Sequence, residues 1–338
     1  MLTVADIDLP LIWYGLIAAA ILLYVLLDGF DLGVGILFPF APSDHCRDRM
    51  MNSVAPFWDG NETWLILGGG GLLAAFPLAY AVFVPAVYMP VTLMLLGLIL
   101  RGVAFEFRFK AEPDRRRLWN FSFHFGSLTA AFFQGVILGA FVQGVTVEGR
   151  QFAGGTMDWM TPFSMMVGVA LIFGYALLGA TWLVMKTENI TQTWARSNAG
   201  RLFLGVLIFT GLVTILMPLI DPRIKDLWLT IPNLFYLLPM PLITAVLFFL
   251  LWRDLQNEAE YRPFFLTLGI FLMNYIGLGI SIWPYLVPFE ITFRQAAAAP
   301  ESQTLLLVGA VFFLPLVLLY TGFCYWVFRG KVSHKPMY

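Results

Sequence analysis

A chain of 338 residues with 59% AVILMFWYC, 12% DEKR and a formal net charge of −1 has too little polar surface to coat a soluble globule. That balance excludes a disordered segment and, with 20 basic against 21 acidic residues, a nucleic-acid-binding domain; two cysteines exclude a disulfide scaffold. The apolar runs are continuous rather than alternating, which excludes a transmembrane β-barrel and leaves an all-α polytopic membrane protein.

Along the chain, spans are expected at about 10–38, 51–76, 78–104, 118–143, 161–185, 200–220, 228–252, 263–286 and 302–328, within one integral membrane domain over 1–338. From Val54 to Leu100 the only charges are Asp59 and Glu62, and one helix of that length would overshoot the bilayer. The chain is therefore expected to reverse at Ala74–Pro77, with Pro85 and Pro90 kinking the third span. Nine spans put sixteen of the 20 basic residues on the C-terminal side, and only Arg150, Arg223, Lys225 and Arg294 on the other. By the positive-inside rule the N-terminus is then periplasmic and the C-terminus cytoplasmic. The acidic start (Asp6, Asp8) lacks the basic region of a cleavable signal. Ala296–Ala299 is the one low-complexity tract.

Span one carries Asp28-Gly29-Phe30-Asp31, with its two acids on one helical face and Gly29 and Gly33 spaced for close helix contact. Span two carries Trp58-Asp59-Gly60-Asn61-Glu62-Thr63-Trp64, again with acids at i and i+3. Each acid at membrane depth costs about 2.5–3.5 kcal/mol on insertion scales, so the set needs a reason. One reading caps helices or pairs the acids with arginine; the other is a proton or cation path inside the bundle. Paired antiparallel about residue 45, Asp31 is expected to face Asp59 and Asp28 to face Glu62, in the half of the membrane near the basic loops. Acids this close cannot all ionise, so at least one is expected to hold a proton near neutrality. Arg101 is the candidate charge partner, reaching Asp59 only if its side chain bends upward.

Gly68 to Gly71 lack the following helix and basic residue of a phosphate loop and are expected to serve helix packing or a local break. Trp13, Trp159, Trp228 and Trp283 fall near expected interfaces. Of the three histidines, His45 and His334 lie outside the spans and only His124 lies within one. A bis-histidine haem cannot be built from these; the 14 methionines leave a Met-ligated site open, though methionine is usually core filler. No CxxC or HExxH signature marks a metal site.

The runs Asp28–Gly35 and Asn52–Leu65 closely resemble subunit II of the cytochrome bd-type quinol oxidases, and Arg101–Arg108, Trp283–Pro288 and Ser302-Gln303 also resemble that family. The short loops look closest to its cyanide-insensitive branch. The resemblance implies two four-helix bundles plus a peripheral helix in a bacterial or archaeal cytoplasmic membrane. It implies a partner, subunit I, that holds the quinol site and the b and d haems, or b in place of d. This chain would ligate none of them and have no active site of its own. Asp28, Asp31 and Asp59 match positions of a proton-uptake path in the family, and Glu62 adds a carboxylate where some relatives have Gln. Some members hold a structural quinone in subunit II, and a small single-span accessory subunit is allowed. Phe57 stands where some relatives have His, and Phe293-Arg294 replaces a Trp-acid pair. The competing reading is a stand-alone proton- or cation-coupled transporter, which should show inverted symmetry between its halves. None is visible, because the acids concentrate in the first two spans.

Overall fold

The computed structural model describes residues 8–112 and 114–332, so Asp6, His334 and Lys335 lie outside the described residues. Helix α1 (Leu9–Leu37) starts where the Asp8 side chain accepts a hydrogen bond from the Leu11 amide, with Pro10 in the first turn. Its 29 residues give roughly 44 Å of helix, more than a hydrocarbon core needs. Phe38-Pro39-Phe40 form a single 3-10 turn that ends it.

The expected second span is two helices. Ser43 caps α2 (Asp44–Val54) by accepting from the Cys46 amide, and this helix is polar. After a break at 55–57 comes α3 (Trp58–Ala75), which runs antiparallel along α1, with Gly68 against Ile21 and Gly71 against Ile17. Gly68 and Gly71 thus serve packing, Gly69 and Gly70 meet nothing within 4 Å, and the helix is unbroken there. The third expected span is also divided: α4 (Pro77–Ala86) is followed by α5 (Tyr88–Arg108), with the helical backbone lost at Val87. Pro85 and Pro90 bracket a full break rather than a kink. The reversal is accordingly spread over α4 instead of sitting at Pro77.

Helices α6 (Arg116–Gln143), α7 (Pro162–Lys186) and α8 (Asn189–Ile220) follow the expected order, α8 starting well before residue 200. The 228–252 span is broken into the end of α9 (Pro222–Leu229), then α10 (Asn233–Leu237) and α11 (Pro239–Gln256). Prolines 222, 232 and 239 punctuate these pieces. Next come α12 (Arg262–Ile282), the short α13 (Phe293–Ala296) and α14 (Pro300–Val327). Two small antiparallel ribbons complete the described chain: β1 (Val147–Glu148) with β2 (Gln151–Phe152), and β3 (Tyr285–Val287) with β4 (Ile291–Thr292).

Among the described residues eight helices are long and apolar enough to cross a membrane. The 18-residue α3 is not among them, because Asp59, Asn61, Glu62 and five glycines lower its hydropathy. In packing, α1 touches α3, α6 and α7; α5 lies on α6, α8 on α7, and α11 on α12. The most apolar stretch of α7 is largely buried, whereas no residue in that of α14 is fully buried. The loops sort to two ends. At one, Arg49 donates to the Glu188 carbonyl, Arg196 to that of Ala259, and Lys331 to Glu260 and the Thr187 carbonyl. At the other, Asp8 pairs with Arg294, Trp13 donates to the Gln303 carbonyl and Ala298 to that of Ala75. The first is the basic end of the molecule. Both cysteines are free. Of the four tryptophans expected at interfaces, Trp13 and Trp159 are buried in the packing and Trp283 is the exposed one.

Candidate functional site: a buried carboxylate–arginine cluster

The polar side chains of α1 are held deep by small residues. A Cβ on Gly33 would stand 1.8 Å from the Tyr175 carbonyl oxygen, and one on Gly29 would be 2.7 Å from the Tyr175 ring. The Gly29/Gly33 face therefore lets α1 lie directly on α7, with Gly179 opposite Gly33. The acids beside these glycines end up fully buried: Asp28 and Asp31 are both 0% exposed.

Arg101, also 0% exposed, answers two of the acids at once. Its Nη1 donates to Asp28 Oδ1 at 2.7 Å and its Nη2 to Glu62 Oε2 at 2.8 Å. The guanidinium fork thus bridges α1 and α3 from α5, a geometry a lysine could not reproduce. Arg101 reaches this height because α4 extends the turn between α3 and α5. The expected pairing of Asp28 with Glu62 in depth is met, through the arginine between them. The alternative in which Arg101 neutralises Asp59 is not what the fold shows: Arg101 pairs with Asp28 and Glu62 instead.

Asp31 has a different environment. Its Oδ2 accepts from Asn61 Nδ2 at 2.7 Å, and Asn61 also donates to the Leu27 carbonyl while its Oδ1 accepts from the Tyr325 hydroxyl at 3.0 Å. Asp59 does not face Asp31. The buried stripe of α3 is Asn61, Trp64, Gly68, Gly71 and Ala75, whereas Asp59 is exposed on the surface of the chain. At 100° per residue, position 59 lies far round the helix from 61, so shared depth did not mean shared face. A third polar string adjoins these: Tyr175 donates to Gln134 at 2.9 Å, and Gln134 donates to the Tyr24 hydroxyl at 2.5 Å. The Tyr24 hydroxyl lies beside Asp28. Asp28 Oδ2 and Asp31 Oδ1 remain without a hydrogen-bond partner of good geometry among the described residues.

Asn61, Tyr325, Tyr24, Gln134 and Tyr175 were not singled out by sequence reasoning. Asn61 stands inside the most distinctive motif but is neutral, and nothing in span nine distinguishes Tyr325 from a packing tyrosine. Phe57 stacks on Tyr325 with ring centroids 4.4 Å apart, and the Lys186 ammonium lies over Phe57 and Trp182. It closes an aromatic wall below the cluster. At the far end, Arg294 binds Asp8 at 2.6 Å and Gln303 donates to the Ala75 carbonyl, fastening the ends of α1, α3 and α14. His124 stands apart from the cluster, with its Nδ1 3.2 Å from the Gly35 carbonyl.

This arrangement, two buried acids and an arginine at the meeting of the first helices, coincides with the most specific sequence motifs, and a family model spans it. The model for cytochrome bd terminal oxidase subunit II matches residues 9–328. The chain belongs to that family. Among relatives it is 28% identical to the cytochrome bd-I ubiquinol oxidase subunit 2 of Escherichia coli, covering 97% of this chain and 96% of that protein. It is 29% identical to the cytochrome bd ubiquinol oxidase subunit 2 of Bacillus subtilis, over 96% of this chain and 98% of the relative. The fold matches a chain of the bd oxidase from Geobacillus thermodenitrificans with a TM-score of 0.78 at 17% identity, covering 95% and 99% of the two chains. As a bd oxidase subunit II, the chain is a multi-pass membrane protein of a quinol oxidase, and subunit I is the partner its family name implies.

Proposed function

We propose that this subunit II supports a haem-bearing subunit I in reducing O2 to water with electrons from quinol, and that its buried cluster forms part of a proton-uptake path. The observation that carries the reading is the contrast between the two acids of α1. The charge of Asp28 is met by Arg101, whereas Asp31 has only the neutral Asn61 as its hydrogen-bonding partner. A proton exchanged at Asp31 therefore breaks no ion pair, while one exchanged at Asp28 does. Asn61, held by the Leu27 carbonyl and Tyr325, fixes the orientation of Asp31. An amide does not pass protons on, so Asp31 Oδ1, which has no hydrogen-bond partner among the described residues, is the atom at which a proton is taken up and given.

The cluster lies within a few helical turns of the basic end. With α3 counted alongside the eight apolar helices, nine passes place sixteen of 20 basic residues on one side. That end is assigned to the cytoplasm, from which the oxidase draws its substrate protons, with the N-terminus periplasmic. In this reading α1, α3, α5 and α6 make one four-helix bundle, α7, α8, α11 and α12 the other, and α14 is the peripheral helix, resting on α1 and α3. Asp59 extends the path outward: an exposed carboxylate at this depth is unfavourable against lipid and suits a face covered by subunit I.

The haems are assigned to subunit I in this reading; His124, the one histidine that the sequence places within a span, has its Nδ1 3.2 Å from the Gly35 carbonyl. Family membership over 9–328 leaves the transporter reading without support.

Asp31→Asn keeps shape and hydrogen bonding but removes the exchangeable acid. The expected result is a complex that assembles with full haem content and reduces O2 on the order of tenfold more slowly, with proton uptake slowed in step. Unchanged turnover would overturn the relay, and lost haem or assembly would show that Asp31 is structural.

A further inference from the structure

A second polar feature lies at the basic end, away from the carboxylate cluster. A pocket of about 820 Å³ opens where α5 ends and α6 begins, beside the 3-10 turn after α1. Four arginines line it against two aspartates. Two of the four are already answered. Arg108 is buried and donates to Asp48 at 2.7 Å and Asn120 at 2.6 Å, and Arg47 pairs with Asp44 at 2.6 Å. Arg116 and Arg117 make no ion pair among the described residues, and the buried Nε of Arg116 has no hydrogen-bond partner.

Two guanidiniums that make no ion pair among the described residues, against the single carboxylate of Asp114 at the same mouth, offer forked donors suited to a phosphate oxyanion. Beside that mouth the surface turns apolar. Phe121 lines the pocket and is 60% exposed, Phe125 stacks on it at 5.4 Å, and Leu118 shares the same face of α6. Residues 118, 121 and 125 fall at helical spacing, so the apolar strip runs from the pocket along α6 towards the membrane interior. A free phosphate has no use for such a strip, whereas a lipid headgroup carries acyl chains that need one.

We infer that this pocket binds the phosphate of an anionic glycerophospholipid, held by Arg116 and Arg117 with its chains along Phe121 and Phe125. The inference uses only the membrane crossing of α5 and α6 and is independent of the proton path. It fits the general behaviour of basic pockets between helix ends at a membrane surface.

The test uses the purified oxidase complex with both subunits, analysed by native mass spectrometry after exchange into phosphatidylglycerol or phosphatidylcholine. Retention of phosphatidylglycerol over phosphatidylcholine is expected, with about a tenfold weakening in Arg116→Ala/Arg117→Ala. Phe121→Ser, at an exposed position, should also weaken retention while the haem spectrum reports an intact complex. Inorganic phosphate at millimolar concentration should compete only weakly. Equal retention of the two lipids, or retention unchanged in the arginine variant, would overturn the site. Strong displacement by inorganic phosphate with no effect at Phe121 would overturn the lipid as its source.

Discussion

Arg101 illustrates what a single side chain decides here. It is enclosed between Asp28 and Glu62, so its removal leaves carboxylates uncompensated away from water. Arg101→Ala should destabilise the subunit by about 3–5 kcal/mol and reduce the yield of assembled oxidase, measured by haem content after purification. Adding Asp28→Asn and Glu62→Gln to that variant should restore much of the yield, because the penalty lies in the unanswered charges more than in the lost pair. Tyr325→Phe removes only the hydroxyl bonded to Asn61. Its expected cost is about 1 kcal/mol in stability, with turnover reduced if orientation of Asp31 matters to uptake.

At the scale of elements, the contact between α1 and α7 depends on the absence of side chains. Gly33→Ala sets a methyl against the Tyr175 carbonyl, so the helices must part, at a cost of about 3 kcal/mol or more. Gly200→Ala in α8 meets nothing within 4 Å and should leave thermal stability unchanged or slightly raised. A thermal unfolding series on the two variants separates packing from propensity. The segment after α14 is fastened by Lys331, whose hydrogen bond holds the Glu260 carboxyl below its ordinary 4.5, with a further bond from Gln192. A lowered carboxyl stabilises above its unfolded value and loses that contribution as pH falls through the folded one. Hydrogen-exchange protection of residues 258–262 and 328–332, corrected for intrinsic rate, should therefore persist at neutral pH and weaken below about pH 4. Glu260→Gln should abolish that pH dependence. As an exposed pair, its effect on global stability should stay under about 1 kcal/mol.

For the whole molecule the testable quantity is sidedness. In a background free of Cys46 and Cys324, cysteine at Arg115 should label only from the cytoplasmic face, and cysteine at Arg150 only from the periplasmic face. Labelling of both positions from one side would contradict nine passes. The bare stretches of α8, α11 and α14 must meet lipid or a partner, which is why the oxidase complex, rather than this chain alone, is the proper object for the assays above.

Fold class and the helix-forming regions were legible in the sequence because hydrocarbon demands long apolar runs whose backbone hydrogen bonds are satisfied within each helix. The distribution of basic residues was equally legible, since it is a property of loops counted along the chain. Depth was partly legible: antiparallel pairing about residue 45 brought Asp28 level with Glu62. Azimuth was not, since a level shared by two helices does not say which way each side chain turns. Asn61 rather than Asp59 therefore meets Asp31, and the arginine that reaches Asp28 could not be placed until α4 was seen to lengthen the turn. Tyr325 lies far along the chain from Asn61, and only the packing of α14 beside α3 brings the two together. Local composition sets which segments enter the membrane, whereas the rotation of each helix is set by neighbours distant in sequence, and the site is made of those rotations.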